Sequence, residues 1–164
     1  MLMFNFNKEV MHKEFIEKLR NDYGFKSLGS YVIDEKSRRS TKIHLPKSFE
    51  VEGDTGIYVL VMDGRVVKIG ESLDLGRRLD VNFTAATRYR VVYQPTNVRV
   101  SEFLQSALSH GEEVEVLVHT VPVNTINIFE SLVQTSYHKQ GEEVLIKKFN
   151  EMYRELPVLN PTKR

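Results

Sequence analysis

The stretch from Gly56 to Gly70, GIYVLVMDGRVVKIG, constrains this chain more than any other. Two β-branched, apolar runs, 56–61 and 65–70, flank an Asp63-Gly64 pair. Such runs favour strands, and an Asp-Gly pair between them favours a tight reversal, so the stretch reads as an antiparallel hairpin. A two-residue loop sets Lys68 opposite Val59, on an apolar face. A three-residue loop, Met62-Asp63-Gly64, sets Tyr58 opposite Lys68 and sorts the faces better. Ile57, Val59, Val61, Val67 and Ile69 then share one apolar side, and Tyr58, Leu60, Val66, Lys68 and Gly70 the other. The three-residue register is therefore expected. It stands a phenol beside an ammonium, next to a glycine that admits a bulky group.

At 164 residues the chain has room for one domain with a real core and not for two. The lack of cysteine excludes disulfides, a thiol nucleophile and a zinc–thiolate site, and makes a cytoplasmic, intracellular location the natural expectation. The N-terminus has no basic start and no long apolar stretch, so neither a signal peptide nor a membrane span is expected. A net charge of +1 points to no partner by itself, but the charges are unevenly placed. Lys36, Arg38, Arg39, Lys42 and Lys47 fall in a stretch without acids, and Arg77, Arg78, Arg88, Arg90 and Arg99 form a second group. Two basic patches on a near-neutral protein suit a nucleic-acid face, while solvated loops account equally well for either patch alone.

Residues 8–22 read as an amphipathic helix with Val10, Phe15 and Leu19 inward, joined by Met11 and Tyr23, and stopped by Gly24. Residues 26–50 show no clear period, and the Ser-Arg-Arg-Ser-Thr-Lys run reads as a flexible arm. After the hairpin, Ser72 is the expected N-cap of a helix with Asp74 in its first turn and Leu75, Leu79 and Phe83 on its buried stripe. Arg78 lies one step off that stripe, stem packed and head free, a placement that suits phosphate. Residues 84–99 form a polar insert that reads as a DNA-contacting segment or as a connecting loop, with Arg88, Arg90, Gln94, Thr96, Asn97 and Arg99 as candidate contacts. A short helix over 101–110 and a third strand over 113–120 follow, the strand turning Val114, Val116 and Val118 to one side. Residues 122–137 read as irregular, with strand character at 126–129. A last helix, about 138–154, turns Leu145, Ile146, Phe149, Met152 and Tyr153 inward. Glu142 points the same way. It is either a first-turn glutamate favoured by the helix dipole or a carboxylate that is paired or metal-bound.

Several of these residues carry a resemblance. GIY at 56–58, nine residues, then KIG at 68–70 resemble the GIY-YIG nuclease superfamily, with Lys68 where most members have a second tyrosine. A small restriction-enzyme branch of that superfamily also reads KIG. Arg78-Leu79 resembles its functional arginine and the apolar residue after it, with Arg77 as the weaker match; Asn82 stands where many members have a histidine. Glu142 matches the metal-binding glutamate of its C-terminal helix. Residues 156–160 resemble its closing proline-to-asparagine segment, at a spacing from Glu142 to Asn160 that is longer than usual.

The resemblance implies an α/β fold, a small three-stranded antiparallel sheet flanked by helices. Residues 1–50 would add an N-terminal helix and basic arm to a nuclease domain at 51–164, one compact domain overall. It implies a Mg²⁺-dependent DNA endonuclease, most simply a sequence-specific type II restriction enzyme. A phage or mobile-element DNA-degrading enzyme and a catalytically idle DNA-binding module are the alternatives. Tyr58 would activate water with help from Lys68, Arg78 would bind the scissile phosphate, and Glu142 would hold a single Mg²⁺. Gly70, Arg38, Arg39 and Lys42 would join the insert in contacting double-stranded DNA, and Asn160 is a further site candidate. A homodimer, at least on DNA, and no membrane partner are expected. With so little sequence after Asn160, neither the DNA-binding tail of an intron-homing enzyme nor the extra domains of an excision-repair nuclease are expected.

Overall fold

The computed structural model describes residues 11–39, 41–85 and 95–161. In chain order, α1 (Lys13–Asn21) leads to β1 (Lys26–Ser30), then to the short strands β2 (Val32–Ile33) and β3 (Ile43–His44). The hairpin strands are β4 (Gly56–Met62) and β5 (Arg65–Ser72). One helix, α2, is π-helical over Arg77–Asn82 and α-helical over Phe83–Ala85. Then come α3 (Pro95–Ser109), β6 (Val114–Thr120), a second hairpin of β7 (Asn124–Ile128) and β8 (Ser131–Thr135), and α4 (His138–Tyr153). No helix among the described residues is long and apolar enough to cross a membrane.

The central sheet is antiparallel and has four strands, in the order β1-β6-β4-β5, where three were expected. The extra strand is β1, whose five residues bury only Leu28 and so show no alternation. The expected hairpin register is also corrected. Asp63 and Gly64 take φ of 47° and 78°, a type I′ two-residue loop that pairs Met62 with Arg65. A bulge follows, so that Val61 faces Val66, Leu60 faces Lys68 and Tyr58 faces Gly70. Tyr58 and Lys68 are thus diagonal neighbours on one face, not a directly opposed pair. The bulge keeps Lys68 on Tyr58's side and exchanges the sides expected for Val66 and Val67. The backbone groups it frees are used elsewhere. The Val66 N–H donates to His12 Nδ1 at 3.0 Å, and the Val67 carbonyl accepts from the Leu159 N–H at 2.9 Å.

Helices cover both faces of the sheet. Ile57, Val59, Val61, Val66, Ile69 and Leu117 pack on Phe15 and Leu19 of α1 and on Leu145 and Phe149 of α4. Of the helix expected over 8–22, α1 realises Lys13–Asn21, with Gly24 at φ 71° after it and Met11 exposed; Val10 lies outside the described residues. On the other face Tyr58, Leu60, Val116 and Val118 meet Leu75, Leu79 and Phe83 of the α2 segment and Val100, Phe103 and Leu104 of α3. Leu75, Leu79 and Phe83 are fully buried, each worth about 2 kcal/mol in apolar burial. That anchors α2 against the sheet and fixes where its arginines stand. β7 and β8 form a separate two-stranded sheet where irregular chain with strand character only at 126–129 was expected.

The Ser-Arg-Arg-Ser-Thr-Lys run is not a free arm at its described positions. Arg39 clamps Asp80 of α2 through both carboxylate oxygens, each at 2.6 Å, and also donates to Thr84. His44 and the Leu45 N–H approach the same carboxylate at 3.2 and 3.0 Å. Lys42 donates to the Ser37 carbonyl, while Arg38 is exposed. Burial opposes Asp80's charge, but the Arg39 and Leu45 hydrogen bonds and the charges of Arg39 and His44 outweigh it and hold the carboxyl below its usual range. A carboxyl lowered on folding lends stability above its unfolded value of about 4, and that stability drains as pH falls towards the folded value. Asp80→Asn should therefore cost about 1.5–3 kcal/mol at neutral pH. In urea unfolding, the gap between the variant and the natural protein should narrow at about pH 3.

Candidate active site

The site forms where β5 runs into α2 and the first turns of α4 pass beside it. Tyr58 faces Gly70 across the hairpin, and its ring lies over the glycine. A Cβ on Gly70 would stand 2.2 Å from the phenol oxygen. The bulky group that this glycine admits is therefore Tyr58 itself. Phe83 backs the ring edge-on, with centroids 5.6 Å apart. Burial holds the phenol well above its ordinary value; Arg78 pulls it down, and Glu142 and Glu71 push it up. Tyr58 is thus a neutral hydroxyl in the resting protein. This upward direction is opposite to the lowering expected from Lys68.

Lys68 is 4% exposed, and burial pulls its ammonium below the ordinary value. Glu142 supports its charge, and Arg78 and Arg99 oppose it. Its Nζ reaches towards the Leu159 carbonyl at 3.5 Å. Asn160 explains why Leu159 is there. The buried Asn160 amide accepts from the Ile69 N–H at 2.8 Å and donates to the Ile69 carbonyl at 2.7 Å. Asn160 thus pairs with β5 as a neighbouring strand would, one residue from Lys68.

Arg78 stands on the π-helical part of α2, where the Phe83 N–H bonds to the Arg78 carbonyl five residues back. Such turns recur at functional sites. Asp74, rather than the expected Ser72, caps this end. Its Oδ1 accepts from the Arg77 N–H at 3.0 Å, and Ser72 remains in β5 and bonds Asp74. Arg78 Nη1 donates to Asn97 Oδ1 at 3.0 Å, and its Nε is buried without a hydrogen-bond partner among the described residues. Glu142 is partly buried on the second turn of α4, and its charge reaches both Tyr58 and Lys68.

Tyr58, Lys68, Arg78 and Glu142 are therefore brought into one electrostatic neighbourhood. The expected DNA contacts are more dispersed. Asn97 is 2% exposed and serves Arg78 rather than reaching outward. Arg39 and Lys42 are held internally, and Gly70 is covered by Tyr58. Arg99 is exposed on α3, which begins at Pro95 rather than 101, and donates to the Val158 carbonyl at 3.0 Å. Arg38 and Thr96 are exposed, while Arg88, Arg90 and Gln94 lie outside the described residues. Glu71, His138 and Lys139, which the sequence reading passed over, complete the rim. An open cleft of about 320 Å³ is lined by Arg77, Arg78, Asn82, Lys139, Glu71 and His138. His138 Nε2 stands 3.1 Å from Glu71 Oε2. Its position four residues before Glu142, one helical turn away, was the available signal.

One carboxylate, Glu142, in the same neighbourhood as a phosphate-binding type of side chain, Arg78, suits a divalent ion such as Mg²⁺, which keeps most of its waters and shares phosphate oxygens. No group of three or more His, Asp or Glu side chains among the described residues is arranged to cage a metal by itself.

No protein-family model and no curated protein matches the chain. Solved structures do. An alanine variant of bacteriophage T4 EndoII superposes with a TM-score of 0.63 at 18% identity, covering 92% of this chain and 99% of that one. The restriction endonuclease HPY188I in complex with product DNA superposes with a TM-score of 0.51 at 21% identity, covering 94% and 88%. The chain shares the α/β fold of these two proteins.

The Tyr58–Gly70 packing gives a direct test. Gly70→Ala should destabilise the protein by about 1–3 kcal/mol, because Phe83 stops the Tyr58 ring from moving aside. An unchanged urea midpoint would mean that the ring is free to shift.

Proposed function

We propose that this protein is a divalent-metal-dependent DNA endonuclease of the GIY-YIG type. The observation that carries the reading is the convergence of Tyr58, Lys68, Arg78 and Glu142 beside an Arg78 Nε–H with no acceptor among the described residues. A buried donor calls for an acceptor, and a phosphodiester oxygen is one. The folds of EndoII and of HPY188I with its product DNA support the same reading.

In the proposed mechanism, Arg78 grips the scissile phosphate and stabilises the charge that builds on it. Asn97 holds Nη1 of the guanidinium, on a side chain that lines the cleft. Tyr58, neutral and fixed by Gly70 and Phe83, offers a hydroxyl to orient the attacking water. Lys68, its charge sustained by Glu142, adds positive potential. Glu142 would hold Mg²⁺, which supplies charge at the leaving oxygen.

A sequence-specific type II restriction enzyme is the preferred identity. The likeness to a bacteriophage protein, 99% of which is covered, favours a DNA-degrading enzyme as the second reading. Digestion of unmethylated phage DNA with Mg²⁺ separates them, since discrete bands indicate restriction and a smear indicates degradation. Glu142→Ala should abolish cutting while duplex binding persists. Normal cutting by that variant, or by the natural protein in excess chelator, would remove Glu142 as the metal ligand. One such site cuts one strand, so a twofold-symmetric dimer on DNA is the economical arrangement. Light scattering with cognate duplex should give the mass of two chains; a single chain would indicate nicking in turn.

A further inference from the structure

The buried polar atoms left without a hydrogen-bond partner among the described residues fall on three side chains, Arg78, Ser136 and His138. Arg78 and His138 line one cleft, and Ser136 lies two residues before His138. Orphaned buried polar groups are uncommon, and two of them on one cleft, Arg78 and His138, point to a polar occupant. His138 is 6% exposed, and both of its ring nitrogens are among these orphans. Nε2 stands within 3.1 Å of Glu71 Oε2, close but off the line that a hydrogen bond needs. Glu71 follows Gly70 directly on β5, and His138 opens the helix that carries Glu142 one turn later.

We propose that His138 is the proton acceptor of the hydrolysis, its imidazole oriented by Glu71, taking the proton of a water that attacks a phosphate held by Arg78. This rests on the nuclease reading above and deepens it. Glu71 draws the ring's N–H towards itself and leaves the other nitrogen's lone pair for water, the division of labour found wherever a carboxylate orients a histidine base. The water oxygen bonds to phosphorus, and its proton passes to His138. The bond from phosphorus to the leaving oxygen breaks, with its electron pair going to that oxygen, which takes a proton from solvent. His138 then returns its proton to solvent. The two orphans are complementary, since Arg78 Nε–H needs an acceptor and His138 can accept from a donor. A phosphate with an attacking water supplies both. Burial of Tyr58 supports the assignment, because a phenol held above its ordinary value stays protonated at neutral pH and leaves no phenolate to take the water's proton. The charged groups that line the cleft with the ring are Glu71 on β5, Asp74 just before α2, Arg77 and Arg78 on α2 and Lys139 on α4, with Glu142 one turn further along α4.

The test is single-turnover cleavage of one duplex by the natural protein, His138→Gln, His138→Ala and Glu71→Gln. It runs between about pH 5 and pH 9, a span that covers imidazole titration. Duplex binding in chelator is measured alongside. His138→Gln should cut about 10²-fold more slowly at neutral pH, bind duplex as before and lose the acid limb of the rate profile. Imidazole added to His138→Ala should restore part of the rate, and Glu71→Gln should fall between. His138→Gln cutting within a few-fold of the natural protein, with the same acid limb, overturns the proposal. So does a loss of rate that tracks lost binding and that imidazole leaves untouched, because that is the signature of a structural histidine. A natural protein that cuts nothing under these conditions fails the nuclease reading, a result distinct from either.

Discussion

Tyr58 and Gly70, opposite one another on adjacent strands, share a volume that holds only one side chain. The phenol fills it, and Phe83 closes the far side. Because Phe83 belongs to the same buried stripe as Leu79, this packing also sets the rotation of α2 and with it the direction of Arg78. The Val67 bulge is the second half of the constraint. One extra residue in a strand sends every later side chain to the other face. Here it keeps Lys68 on the face of Tyr58 and gives the freed backbone groups to His12 and Leu159, at opposite ends of the chain.

Charge in this neighbourhood is shared rather than local. Glu142 supports the ammonium of Lys68 and disfavours ionisation of Tyr58, and Arg78 does the reverse to both. A change at either residue therefore alters the protonation of two others. Asp80 extends the coupling to the N-terminal segment, since Arg39, His44 and Leu45 all meet its carboxylate on the helix of Arg78. A charge cluster outside the cleft thus braces the backbone inside it.

Much of this was legible along the chain. The hairpin, the buried stripe Leu75, Leu79 and Phe83, and the alternation of β6 follow from periods that local sequence displays. The register did not follow, because the bulge is stabilised by partners 54 and 91 residues away from Val66 and Lys68. β1 was invisible because only Leu28 is buried in it, and Asn97 looked like a surface amide because nothing near it in sequence reveals Arg78. Asp80 stands in sequence among the arginines of a basic group, yet it is the acceptor that draws Arg39 inward. Long-range polar pairing carries no period, which is why it escaped.

β5 lies at the margin of the sheet, where bare amides and carbonyls invite a strand from another molecule. The Leu159 N–H and the two ends of the Asn160 amide occupy that margin on either side of Lys68. A side-chain amide here imitates a peptide unit and ends the sheet by completing it. Loss of Asn160 would thus do more than loosen the fold. It would uncover a sticky seam along the strand that presents the buried ammonium, and chains would meet there edge to edge. Protection of this edge and the placement of the buried ammonium depend on the same side-chain amide.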